Sequence, residues 1–193
     1  MKKKFITGLA TGLFLVGMVG VVSAAPVQWT TAAGGNGHWY DVVVSPLSWD
    51  DAESATEAAG AYLATITSAE EQAFVESLLA PYTTPDVGGF MLGGFQPSGS
   101  SEPGGGWQWV NGEAWSYTNW GSGEPNNSGG EAYLYMDERY AWGWNDYTNA
   151  GGYYNPQGYI SETAPVPEPA TMLLFGTGIA GLVGGRLRKK KTA

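Results

Sequence analysis

The run Tyr117-Thr118-Asn119-Trp120-Gly121-Ser122-Gly123-Glu124-Pro125-Asn126, answered downstream by Glu131 and by Trp144-Asn145-Asp146, decides how this chain reads. Glu124, Asn126 and Glu131 place two carboxylates and an amide within eight residues, and Asn145 and Asp146 add a second amide and a third carboxylate. Oxygen donors in that number suit a hard cation such as calcium, which takes about 6 to 8 oxygen ligands. Glu-Pro-Asn alone reads as a plain turn. Glu131 and Trp144-Asn145-Asp146 shift the reading toward a metal site.

Working outward, the chain before this run is helical and the chain around it is not. Trp39 to Val44 is β-branched and aromatic, as a strand requires. Ser48 with Asp51 resembles a capping box, and Trp49, Ala52, Thr56 and Ala59 follow at helical spacing as far as Gly60. A second helix is predicted from Ser68, with Glu71 as capping partner, through Phe74, Val75, Leu78 and Leu79 to the stop at Pro81. Tyr62 to Ile66 reads as an extended link. After Pro85 the helical period is lost. Short aromatic segments at Phe90 to Phe95, Trp107 to Val110, Tyr133 to Met136, Trp142 to Trp144 and Gly158 to Ile160 read as strands between Gly, Asn and Pro turns. Ser98 to Gly106 reads as a mobile loop without a phosphate-binding Lys. The class is α+β: two helices, small antiparallel sheets and a long irregular loop region.

In this order the residues resemble the C-type lectin-like domain, from about Gly37 to Glu162. Ser48-Trp49 through Ala64-Thr65-Ile66-Thr67-Ser68, Glu71 and Phe74-Val75 look like the family's two-helix region. Met91-Leu92-Gly93-Gly94 stands where the family has its Trp-Ile-Gly-Leu strand. Trp109, Asn111-Gly112, Tyr117 to Trp120, Glu124-Pro125-Asn126, Trp144-Asn145-Asp146 and the closing Gly158 to Glu162 follow in register. The resemblance implies that Glu124, Asn126, Glu131, Asn145 and Asp146 together hold one calcium ion and the sugar bound to it. Each sugar hydroxyl would ligate the ion, donate to a carboxylate and accept from an amide. In the family the order Glu-Pro-Asn, with Pro125 expected cis, goes with mannose-type sugars. Asn127 and Ala132 stand where acids would support a second calcium, so one ion is expected. The alternative is a calcium-free structural or protein-binding domain of the extracellular matrix.

The family's usual four cysteines fall on Thr56, Tyr133, Asn149 and Ser161, and the chain has no cysteine at all. Two missing bridges remove roughly 2 to 5 kcal/mol each. The nine Trp and eleven Tyr are the expected replacement, since each ring buries a large apolar area.

Charge limits the partners. Residues 26 to 165 hold seventeen of the eighteen acids against the single base Arg139, sixteen net negative charges, and such a surface repels nucleic acid. His38 is the only histidine and is expected to cap the first strand; without cysteines it makes neither a zinc site nor a triad. Neighbouring acids such as Asp50-Asp51, Glu70-Glu71 and Asp137-Glu138 diverge from one another and do not make a glycosidase pair. No enzyme is expected.

The two ends read as addresses. Lys2 to Lys4, the apolar run Phe5 to Val22 and the small residues Ser23-Ala24-Ala25 make residues 1 to 25 a cleaved signal peptide, with an uncleaved membrane anchor as the alternative. Val166-Pro167-Glu168-Pro169, the apolar stretch Ala170 to Gly185 and the basic tail Arg186 to Lys191 resemble the bacterial PEP-CTERM sorting signal over 166 to 193. The resemblance implies an exosortase as processing partner, transient membrane association through a short transmembrane segment, and a Gram-negative cell. The domain between, 26 to 165, would then be released to the cell surface or matrix, with carbohydrate or exopolysaccharide as its ligand.

Overall fold

The computed structural model describes residues 22–23, 25–83, 88–149 and 156–165. The C-terminal sorting segment and nearly all of the expected signal peptide lie outside the described residues. Val22–Ser23, from the end of that peptide, form a short strand β1.

The remaining strands are β2 (Val27–Gln28), β3 (Trp39–Val44), β4 (Tyr62–Leu63), β5 (Gly89–Phe95), β6 (Gln108–Trp109), β7 (Tyr133–Asp137), β8 (Gly143–Tyr147) and β9 (Gly158–Thr163). They form one sheet with the path β1-β3-β9-β5-β7-β8, with β2 beside β3, β4 beside β9 and β6 beside β5. Pairing is antiparallel except for β5 against β9, where Phe90 faces Gly158 and Met91 faces Tyr159. This parallel join closes the last strand into the middle of the sheet, and hydrophobic pattern alone does not reveal it.

Period-2 alternation divides the core. Val42, Phe90, Leu92, Leu134, Met136 and Ile160 enter one cluster with Val75 and Leu79 of α2 (Ala69–Leu79). Val43, Met91, Tyr135 and Tyr159 enter the other with Trp49 and Ala52 of α1 (Trp49–Ala58). The sheet is therefore buried on both faces, one helix to each.

Both helices start as predicted. Ser48 Oγ accepts from Asp51 N at 3.2 Å, and Ser68 Oγ accepts from Glu71 N at 3.1 Å. The reciprocal half of each box differs. Asp51 accepts from the Ser48 hydroxyl, and Glu71 accepts from Thr67 N at 2.7 Å and from the Tyr40 hydroxyl. Glu71 is thus a buried structural acid as well as a helix-start residue.

Opposite it stands Glu162 on β9, 1% exposed. It accepts from Thr65 N at 2.9 Å and from the Tyr62 and Tyr40 hydroxyls at 3.1 and 3.2 Å, and it meets His38 Nδ1 at 2.5 Å. His38 therefore pairs with a buried acid rather than simply capping a strand. Burial pushes the Glu162 carboxyl above the ordinary value of 4.5; the Thr65 N–H and His38 pull it back, and the charge of Glu71 adds to the rise. A folded-state pKa raised in this way means that the folded protein holds its proton more tightly than the unfolded chain. The stability this group contributes is present below about pH 4.5 and is lost as pH rises through the raised value. Urea midpoints measured across the acid-to-neutral range should show this loss in the wild type and a flatter profile in Glu162→Gln. Parallel profiles would contradict it.

The segment 98–106 is pinned rather than loose. Gln96 Nε2 donates to Pro103 O at 2.9 Å and Gly105 O at 2.7 Å, and Trp107 Nε1 donates to Pro103 O at 3.1 Å. Composition alone suggests mobility, but side-chain donors from the residues flanking the loop satisfy its Pro103 and Gly105 carbonyls.

Candidate functional site

Strand β8 and the loop 119–131 build the site together. Trp144 N donates to Asn119 O at 2.7 Å and Gly121 N donates to Trp144 O at 2.7 Å, so the chain entering the loop is tied to β8. Asp146, fully buried, then holds the loop with its carboxylate: Oδ1 accepts from Asn126 N at 2.9 Å, and Oδ2 accepts from Asn126 N at 3.1 Å and Asn127 N at 2.6 Å. The Glu124–Pro125 peptide bond is cis, as expected. Asn126 Nδ2 donates to Glu124 Oε2 at 2.5 Å. Ser128 N reaches both Asn126 Oδ1, at 2.7 Å, and Glu131 Oε2, at 2.9 Å.

Four of the five predicted residues, Glu124, Asn126, Glu131 and Asp146, are thereby drawn into one hydrogen-bonded network. Asn145 stands outside it. It neighbours Asp146 along β8, is 5% exposed, and its Oδ1 is buried without a hydrogen-bond partner among the described residues. A buried acceptor left unpaired costs about 1 to 3 kcal/mol. Among the described residues no three His, Cys, Asp or Glu side chains form a group able to hold a metal ion. Two of the five donors here are amides, and Asp146 spends both carboxylate oxygens on backbone N–H groups.

The electrostatics are those of carboxylates pressed together. Burial and then the charges of Asp146 and Glu124 push the Glu131 carboxyl up to about 7, against the opposing Ser128 N–H. Glu124 is raised by burial and by Asp146, while the Tyr140 hydroxyl opposes the rise. By residue type the five donors, three carboxylates and two amides, are those that suit calcium.

A family model for the lectin C-type domain matches residues 45–151. The chain belongs to the C-type lectin domain family. A second model, the PEP-CTERM protein-sorting motif, matches residues 165–189 and marks the chain for export and sorting to the cell surface. Ladderlectin of Oncorhynchus mykiss is 33% identical over 130 residues, which cover 65% of this chain and 63% of that protein. "C-type lectin domain family 4 member M" of Hylobates lar is 35% identical over 124 residues, 63% of this chain and 28% of the relative. The chain thus spans less than two thirds of these relatives' own length. Among solved structures, the mouse scavenger receptor C-type lectin carbohydrate-recognition domain superposes with a TM-score of 0.54 at 25% identity, covering 67% of this chain and 92% of that one. A calcium-independent type II antifreeze protein superposes with a TM-score of 0.57 at 20% identity, covering 76% and 98%, a likeness of fold alone.

Within this lectin domain, the residue that sequence reasoning missed is Tyr140. Its hydroxyl donates to Glu124 Oε1 at 2.6 Å from the short turn Glu138–Tyr140 between β7 and β8. Nothing in periodicity or spacing marks that tyrosine; only the fold brings it to the loop.

Proposed function

We propose that this domain is a calcium-dependent lectin for mannose-type sugars of exported or surface polysaccharide. The observation that carries the reading is the joining of Glu124, Asn126 and Glu131 of the loop to Asp146 of β8 in one hydrogen-bonded network, with Asn145 next to Asp146 along the strand. These five residues would hold the ion, whose chemistry is to accept two neighbouring sugar hydroxyls as ligands. Glu124 and Asn126 supply a matched acceptor and donor for those hydroxyls. Binding would involve no covalent step. The exported domain would act at the surface or in the matrix of a Gram-negative cell, after membrane association through the C-terminal segment and processing by an exosortase.

A second reading has its own support. The loop is already held by its own hydrogen bonds to Asp146, and the fold is shared with a calcium-independent antifreeze protein. On that reading the domain is a calcium-free structural or protein-binding module.

Calorimetric titration of the purified protein with calcium separates the two: uptake of one ion, with a rise in melting temperature, supports the lectin, and no uptake at millimolar calcium ends that reading. The proposed specificity rests on the order Glu124-Pro125-Asn126 and can be tested by reversing it. Exchanging Glu124→Gln together with Asn126→Asp conserves charge and swaps acceptor for donor, so calcium stays bound while preference moves from mannose-type toward galactose-type sugars by ~1 to 3 kcal/mol. A glycan array of both proteins reads this shift, and identical profiles would place recognition elsewhere.

A further inference from the structure

The turn joining β7 to β8 has a more costly construction than a connection needs. Ala141 and Trp142 both occupy the left-handed region, at φ 53° and 66°, and a bulky aromatic residue rarely takes that conformation. The turn is closed by Asp137, whose carboxylate accepts from Arg139 N at 2.9 Å and from Arg139 Nε at 3.0 Å. Trp142 N returns to Asp137 O at 3.0 Å.

The turn sends Trp142 into the core and Tyr140 toward the loop. The Tyr140 ring lies against Gly121, where an added Cβ would sit 2.4 Å from the ring, so only glycine admits the phenol at that depth. The Arg139 guanidinium stands 5.6 Å from the ring centroid. With the ring packed on Gly121, it is the hydroxyl that reaches the site, donating to Glu124 Oε1 at 2.6 Å. On the other side Asn126 Nδ2 donates to Oε2. Two donors from separate segments therefore fix the Glu124 carboxylate in rotation as well as in place.

We infer that Tyr140 is the positioning residue for Glu124, delivered by the strained 137–143 turn, and that calcium affinity depends on its hydroxyl. This rests on the lectin reading above. An Asn126-only carboxylate would rotate freely about its last torsion, and the ion would have to immobilise it on binding. Tyr140 removes that cost beforehand.

The test is Tyr140→Phe, which keeps the ring and its packing on Gly121 and removes one oxygen. Calcium titration of the folded protein, its fold checked by near-UV circular dichroism, should show affinity about tenfold weaker than wild type, the size of a hydrogen bond to a charged group. In a Glu124→Gln background the same change should have a much smaller effect, because the charged acceptor is gone. A merely structural tyrosine would leave the affinity of the folded protein unmoved. Unchanged affinity in Tyr140→Phe, or an equal loss in both backgrounds, overturns this inference while leaving the lectin reading intact. Calcium uptake by neither wild type nor variant sinks the lectin reading and this inference with it.

Discussion

Asp146→Ala is expected to lose calcium and sugar binding and to lose stability at the same time. The carboxylate receives three backbone hydrogen bonds from Asn126 and Asn127 inside the protein, and its removal leaves those N–H groups without a buried partner. The cost should be about 2 to 4 kcal/mol, from hydrogen bonds to a charged acceptor. Asn145→Ala should behave otherwise. Among the described residues its Oδ1 has no hydrogen-bond partner, so its loss should change stability by less than about 1 kcal/mol while removing a proposed metal ligand. Urea unfolding in chelator beside calcium titration distinguishes the two variants. Equal destabilisation by both would mean that Asn145 has a structural partner after all, and calcium binding by Asn145→Ala would remove it from the ligand set.

The second large effect is at Trp144. It is fully buried, with ring centroids of Trp109, Trp115, Trp120 and Tyr117 between 5.6 and 5.8 Å away, three of the four edge-on. Its Nε1 donates to Gln72 Oε1 at 2.9 Å, linking the cluster to α2. Trp144→Ala should cost about 3 to 5 kcal/mol by cavity formation, a large share of the about 5 to 15 kcal/mol available to a domain. Trp144→Phe retains much of the ring and leaves only Gln72 Oε1 without its donor, so its loss should be nearer about 1 to 3 kcal/mol. Chemical denaturation of both variants gives the ratio, and a cost for Trp144→Ala no greater than that of Trp144→Phe would show that the aromatic cluster does not carry the core.

Sequence reading reached the two helices because their caps and apolar spacing are local: Ser48, Ser68, Trp49, Ala52 and Val75 lie within a turn or two of the features that betray them. It nominated Glu124, Asn126, Glu131, Asn145 and Asp146 through a resemblance of ordered motifs, and the fold joins all of them but Asn145 in one hydrogen-bonded network. It did not reach Tyr140, the His38–Glu162 pair or the pinning of 98–106 by Gln96. The contacts of Tyr140 with Glu124 and of Gln96 with Pro103 and Gly105 are side-chain bonds that apolar spacing does not encode, and His38 and Glu162 are 124 residues apart, so no window of periodicity contains both. The parallel join of β5 to β9 escaped for the same reason.

At two of the four positions where relatives are expected to place sulfur, this chain uses a ring and an amide. Tyr133 stands with its ring centroid 4.7 Å from that of Trp49, and Asn149 accepts from Asp50 N at 3.1 Å and from Trp49 N at 3.2 Å through its side-chain and main-chain oxygens. The contacts join the same two regions, the start of α1 and the end of the β7–β8 hairpin. Such fastenings have no reduction potential. The domain therefore needs no thiol oxidant or disulfide isomerase, and it has no disulfide for a thiol-rich environment to cut. An exported protein built in this way can cross from a reducing cytoplasm into anoxic or oxygenated surroundings with the same set of native contacts in each.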